Sequence, residues 1–74
     1  MRDVMLVIYG NTEREYKLPV LRELALEAYE RIKAEAHSYV YLYDTIKIKG
    51  KIKEDVCYRQ YIAETQTEWI NERE

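Results

Sequence analysis

The side chains best suited to covalent or metal chemistry are scarce in this chain. His37 is the sole histidine and Cys57 the sole cysteine, twenty positions apart. A thiolate beside an imidazole makes a nucleophile with its base, but such a pair is recognised by geometry and roles, and the sequence offers no orienting signature. With no second His or Cys there is no metal-ligand spacing. The plainer readings are structural. His37 falls at the end of a helical pattern, where the dipole favours a cation. Cys57 falls in the first turn of a later helical pattern as a small filler, although a helix N-terminus can lower a thiol's pKa and make it reactive. Glu13 with Glu15, and Glu64 with Glu68 and Glu72, read as solvated faces rather than catalytic carboxylate pairs. Gly10 and Gly50 lie forty positions apart, so there is no glycine-rich phosphate loop. The sequence predicts no catalytic, cofactor-binding or metal-binding residues, and hence not an enzyme.

One stretch is chemically distinctive. Ser38 to Lys53 reads SYVYLYDTIKIKGKIK and alternates strictly. Val40, Leu42, Ile46, Ile48 and Ile52 take one parity, and Tyr39, Tyr41, Tyr43, Lys47, Lys49, Lys51 and Lys53 take the other. Successive side chains of an extended chain point to opposite faces, so this is one apolar face and one aromatic, basic face. Tyrosines on a strand can stack bases while lysines meet phosphates, as single-strand binders do. They can equally form a protein interface, for which an apolar ring with a polar tip is well suited. The third option is tyrosines packed beneath a helix with the lysines solvated at a sheet edge. Twelve basic and fourteen acidic residues leave a formal charge of −2, which weakens the nucleic-acid option and favours the protein interface.

Neighbouring elements must hold that face. The apolar run Val4 to Tyr9, followed by Gly10-Asn11, predicts a central strand buried on both faces and a type II′ turn. Thr12 to Lys17 returns as a charged edge strand. Pro19 suits a first helical position, and a helix follows from Val20 to His37. Leu21, Leu24, Ala25, Ala28, Tyr29, Ile32 and Ala36 fill an arc of roughly 140° on that helix. Within Ser38 to Lys53 a turn at Asp44-Thr45 would mix the two parities, so a long or bent strand is expected, with Gly50 as a bulge, a bend or its end. Glu54-Asp55 then opens a second helix running to about Asn71. Its stripes, Tyr58, Tyr61, Ile62, Thr65, Trp69 and Val56, Ala63, Ile70, cover roughly 200°. So wide a face predicts contact with a second molecule as well as with the sheet. The expected partner-binding residues are Tyr39, Tyr41, Tyr43, Lys47, Lys49, Tyr61, Trp69 and Ile70.

A chain of 74 residues is one domain, 1–74, of α+β class. The expected order is β-β-α-β(-β)-α, with a three- to four-stranded, mostly antiparallel sheet and two helices packed on one face. A chain this short buries only about 60% of its unfolded surface, and with no disulfide or zinc to staple it a second copy or a partner often completes the core. Val4 to Tyr9 is too short to span a membrane or form a signal-peptide core, and a lone thiol fits a reducing compartment. The expected protein is cytoplasmic, with no membrane partner. It is expected to be a non-catalytic interaction module, an inhibitor or adaptor of phage or accessory type that occupies a partner protein's surface as a homodimer. A single-stranded RNA or DNA binder using the Tyr/Lys strand face is the alternative.

Overall fold

Strand β1, Val4–Tyr9, has β-branched and long apolar side chains on both parities, and Val4, Met5, Leu6 and Val7 are all buried. A computed structural model describes residues 3–35 and 38–71. The chain reverses at Gly10, whose positive φ of 56° suits the first central position of a type II′ turn, into strand β2, Thr12–Lys17. These strands pair antiparallel along their whole length, from Val4 opposite Lys17 to Tyr9 opposite Thr12. The central strand and the charged edge strand stand as the sequence predicts.

Helix α1 runs Arg22–Glu35. The Leu18–Pro19 bond is cis, and the chain turns through Val20 and Leu21 before the helix begins, so Pro19 does not take the first helical position. Ala25, Ala28 and Tyr29 are buried, with Leu26 and Ile32 packed beside them, whereas Leu24 is 51% exposed. The buried arc therefore centres on two alanines, which let the helix lie close to the sheet. Ala36, His37 and Glu72, which figure in the sequence expectations, lie outside the described residues.

After α1 comes strand β3, Tyr39–Ile48, which passes unbroken through Asp44-Thr45 and pairs antiparallel with β1. The reversal falls at Lys49-Gly50, where φ values of 53° and 78° meet the two-residue type I′ requirement, so the stretch to Lys53 is not one strand. From here the chain departs from the expected fold. Residues from Lys51 to Ile62 form strand β4 and Thr67–Ile70 form strand β5; the predicted second helix is absent among the described residues. The result is a five-stranded antiparallel sheet, ordered β2-β1-β3-β4-β5, with one helix.

The reason is a bulge. Leu42 pairs with Arg59 but Tyr43 pairs with Cys57, so Tyr58 is an extra residue in β4. Tyr58 packs on the helix-side core, and Arg59 reaches Glu30 of α1 at 3.1 Å. A bulge puts two successive side chains on one face. The helix-facing set Val56, Tyr58, Arg59 and Tyr61 thus runs in steps of two, one and two, so Val56 and Arg59, and Tyr58 and Tyr61, fall three apart, a spacing that imitates a helical stripe. Val, Cys, Tyr, Ile, Thr and Trp are also weak helix formers and good strand formers.

The core lies between α1 and one face of the sheet: Met5, Val7, Val40 and Leu42 meet Ala25, Ala28 and Tyr29. Ile46 and Ile48, expected on that face, lie beyond it. The Ile48 side chain sits on the part of the β3–β4 hairpin past β1 and is 53% exposed. The hydroxyl of Tyr29 donates to Glu68 of β5 at 2.9 Å, and Lys33 reaches the same carboxylate at 3.0 Å. These bonds fasten the helix across the strands furthest from its own hairpin.

Candidate interaction face

With α1 on one face, the opposite face of the sheet has no covering element among the described residues. Register fixes what it displays, because directly paired residues share a face. One row runs Glu13, Ile8, Tyr41, Gln60 and Trp69 across all five strands. The next runs Glu15, Leu6, Tyr43 and Cys57, and a third carries Lys17, Val4, Thr45 and Asp55. At the far end Tyr39 pairs with Ile62, and Ile62 with Thr67.

The tyrosines of this face are organised against one another. The rings of Tyr39 and Tyr41 stack with centroids 5.0 Å apart, and Tyr41 meets Tyr43 edge to face at 6.2 Å. The Tyr39 hydroxyl donates to the Gly10 carbonyl at 2.9 Å, pinning the ladder to the first turn. Burial, with Cys57 and Asp55 nearby, raises the Tyr43 pKa, so its ring stays a neutral hydrogen-bonding group. Leu6 is 2% exposed although no helix lies over it, so its neighbours on this face cover it. Trp69, at the other margin, stays 49% exposed.

Electrostatically the face is mixed. Glu13, Glu15 and Asp55 share it with Lys17 and Lys47, and Lys47 is ion-paired with Glu15. Neither sign dominates, so a polyanion gains no net attraction there. The edges, in contrast, are blunted in the ways sheets use to avoid edge-to-edge pairing. The edge strand β2 carries Glu13, Arg14, Glu15 and Lys17, and β5 is only four residues long. Below β5 the outer edge of β4 is charged and bulged, and Asn71 closes its upper end by donating to Tyr58 at 2.8 Å and Cys57 at 3.3 Å. Association by strand addition is disfavoured, and the open face remains.

Of the expected partner-binding residues, Tyr39, Tyr41, Tyr43 and Trp69 come together here, with Lys47 at the rim. Tyr61 does not join them: it pairs with Val40, packs on the helix-side core and has Lys33 5.9 Å from its ring centroid. Ile70, opposite Arg59, is on the helix side too, and Lys49 occupies the distant β3–β4 turn. Sequence reasoning missed Ile8, Ile62, Gln60 and Cys57 as members of the face. For Ile8 the signal was present, since a strand apolar on both parities presents half its side chains away from the helix. Cys57 lies within a strand rather than at a helix N-terminus, and burial raises its thiol pKa, which removes the premise for an activated cysteine. Among the described residues no three His, Cys, Asp or Glu side chains are gathered as a metal site would need. A shallow cleft of about 440 Å³ at the end of the sheet is lined by Tyr9, Arg14, Arg31, Ile32, Glu35 and Tyr39, with both charge signs in it. No helix is long and apolar enough to cross a membrane.

Comparison with protein-family models, with curated proteins and with solved structures returned no match. The functional reading is carried by this chain's own residues.

Proposed function

We propose that this chain is a non-catalytic protein-binding module whose docking surface is the open face of the sheet. The observation that carries the reading is the row Ile8, Tyr41, Gln60, Trp69, flanked by Tyr39 and Tyr43, on a face that α1 leaves bare. Aromatic side chains at the centre of a patch with a charged rim are the composition of a binding hot spot. Preorganised rings add to it: Tyr39 and Tyr41 are already stacked, so little side-chain entropy remains to be lost on docking. Blunted edges direct a partner to the face. An inhibitor or adaptor acting by occupying another protein's surface needs no more machinery than this.

Affinity purification of the tagged chain, followed by mass spectrometry, tests the reading when run beside Tyr41→Arg and Trp69→Arg. Both variants should retain the wild-type circular dichroism spectrum and lose the bound protein. Retention of the same proteins by both folded variants would sink the proposal. A salt-sensitive anisotropy shift with unstructured oligonucleotides, removed by Tyr41→Arg, would replace it with the nucleic-acid reading.

A further inference from the structure

We infer that the occupant of the open face is a second copy of this chain, packed sheet against sheet around Tyr41 and Tyr43. The inference rests on the reading of that face as a protein-docking surface and names its partner. Four observations support self-association. Shape comes first: an antiparallel sheet face is matched by another, as in sandwiches whose sheets lie about 10 Å apart. Size is the second. Five strands at about 4.8 Å and some six residues at about 3.3 Å give a plan of roughly 500 Å², which side-chain relief enlarges towards the ~800 Å² per partner of a stable interface.

Charge is the third. A two-fold interface sets a surface against itself, so a face of single sign would repel its copy. This face carries both signs, and its symmetry helps. A two-fold axis along the strands exchanges the sheet's margins and brings Lys17 of one copy towards Asp55 of the other, which occupy opposite ends of one row. An axis across the strands through Leu6 and Tyr43 reverses the rows and brings Lys17 towards Glu13. Both arrangements give a lysine a carboxylate, but the second also sets Glu15 against its own copy, so the axis along the strands is the favoured one. The fourth is economy of structure: the helix-side core is thin, and a second sheet would cover Ile8, Ile62 and Trp69 in a layered α/β/β/α dimer without any rearrangement of the chain.

The lone thiol provides a built-in reporter, because Cys57 lies in the Leu6–Tyr43 row. Sedimentation equilibrium of the untagged chain at high micromolar concentration should give twice its 9.0 kDa mass. Alkylation of Cys57 should be markedly slower at that concentration than after dilution, and Tyr41→Arg should give a folded monomer whose Cys57 reacts at a concentration-independent rate. Lys17→Glu should weaken the dimer, and a second change, Asp55→Lys or Glu13→Lys, should restore it. A monomer at high concentration overturns the inference. So does a dimer that survives Tyr41→Arg and Trp69→Arg with Cys57 unprotected, since it would use another surface. In the monomer outcome, loss of a co-purifying protein on Tyr41→Arg would leave the docking reading standing with a different partner, and no such loss would end both.

Discussion

At the scale of single residues, the Tyr29, Lys33 and Glu68 cluster ties α1 to β5. Burial alone would raise the Glu68 pKa, but hydrogen bonds from Lys33 and Tyr29 outweigh it and hold the carboxyl below its usual range. A carboxyl with a depressed folded pKa contributes stability that is complete above the ordinary glutamate value, about 4.3, and that is lost as the pH falls through the folded value. Tyr29 is raised, first by burial and then by Glu68, and Lys33 is raised by its bond to Glu68. Groups whose folded pKa is raised keep their protons longer in the folded state, so stability also falls as the pH climbs past their ordinary values near 10. Tyr29→Phe keeps the ring and removes the hydroxyl, and should cost about 1–2 kcal/mol, as for a hydrogen bond to a charged group in a partly exposed setting. Urea unfolding across pH should show this loss together with a shallower acid limb; an unchanged acid limb would mean that Glu68 is held by Lys33 alone. Thr45 predicts the opposite sign. Its side chain is fully buried and its hydroxyl has no hydrogen-bond partner among the described residues. Thr45→Val exchanges the hydroxyl for a methyl of the same shape and should stabilise the fold by about 1 kcal/mol, read as a higher urea midpoint at unchanged slope.

At the scale of elements, the turn at Lys49-Gly50 isolates a backbone effect. Gly50 has φ of 78°, and an added Cβ would meet nothing within 4 Å. Gly50→Ala therefore costs only the left-handed conformation, about 1–2 kcal/mol, and adding Lys49→Asn should recover part of it because Asn enters the left-handed region at position 49 more readily than Lys. Equal stability of Gly50→Ala and wild type in urea would contradict this turn. The same elements show what a sequence can convey. The β1–β2 hairpin was legible to the residue, since an apolar run, a Gly-Asn turn and a charged return agree with one another. Helix α1 was legible in its period and in its inward face, with Ala25, Ala28, Tyr29 and Ile32 turned to the sheet as expected. The exception is Leu24, exposed where Leu26 packs instead, because both are equally apolar and only the close approach at Ala25 and Ala28 selects between them. The last third of the chain was illegible because the bulge at Tyr58 erases strict alternation where strand β4 needed it. The candidate site follows suit. Tyr39, Tyr41 and Tyr43 were found from their parity alone, whereas Trp69 was named from a helical stripe that does not exist and reached the face through its register with Gln60.

At the scale of the whole molecule, charge and architecture divide the chain in two. The hairpin from Lys47 to Lys53 carries four lysines and no acid, so the remainder bears −6 of the formal charge of −2. That hairpin projects past the last pairing of β1, Val4 with Thr45, and Ile48 and Ile52 on it are about half exposed, at 53% and 48%. A two-stranded ribbon is marginal by itself and is carried by the sheet rather than carrying it. Replacing residues 46–54 by Asn-Gly joins Thr45 to Asp55, already a cross-strand pair, through a two-residue type I′ turn. The change deletes four lysines and one glutamate and moves the formal charge from −2 to −5. It also removes the exposed Lys47–Glu15 pair, worth about 0–1 kcal/mol, and half-buried Ile46, so the shortened chain should unfold cooperatively with a loss of about 1–2 kcal/mol. Its self-association should persist, because Ile8, Tyr41 and Trp69 lie at the other end of the face. Sedimentation and urea unfolding of the shortened chain separate the two roles. Retained dimer with retained cooperativity assigns association to the tyrosine face. Loss of the dimer from a cooperatively folded chain would transfer that role to the arm.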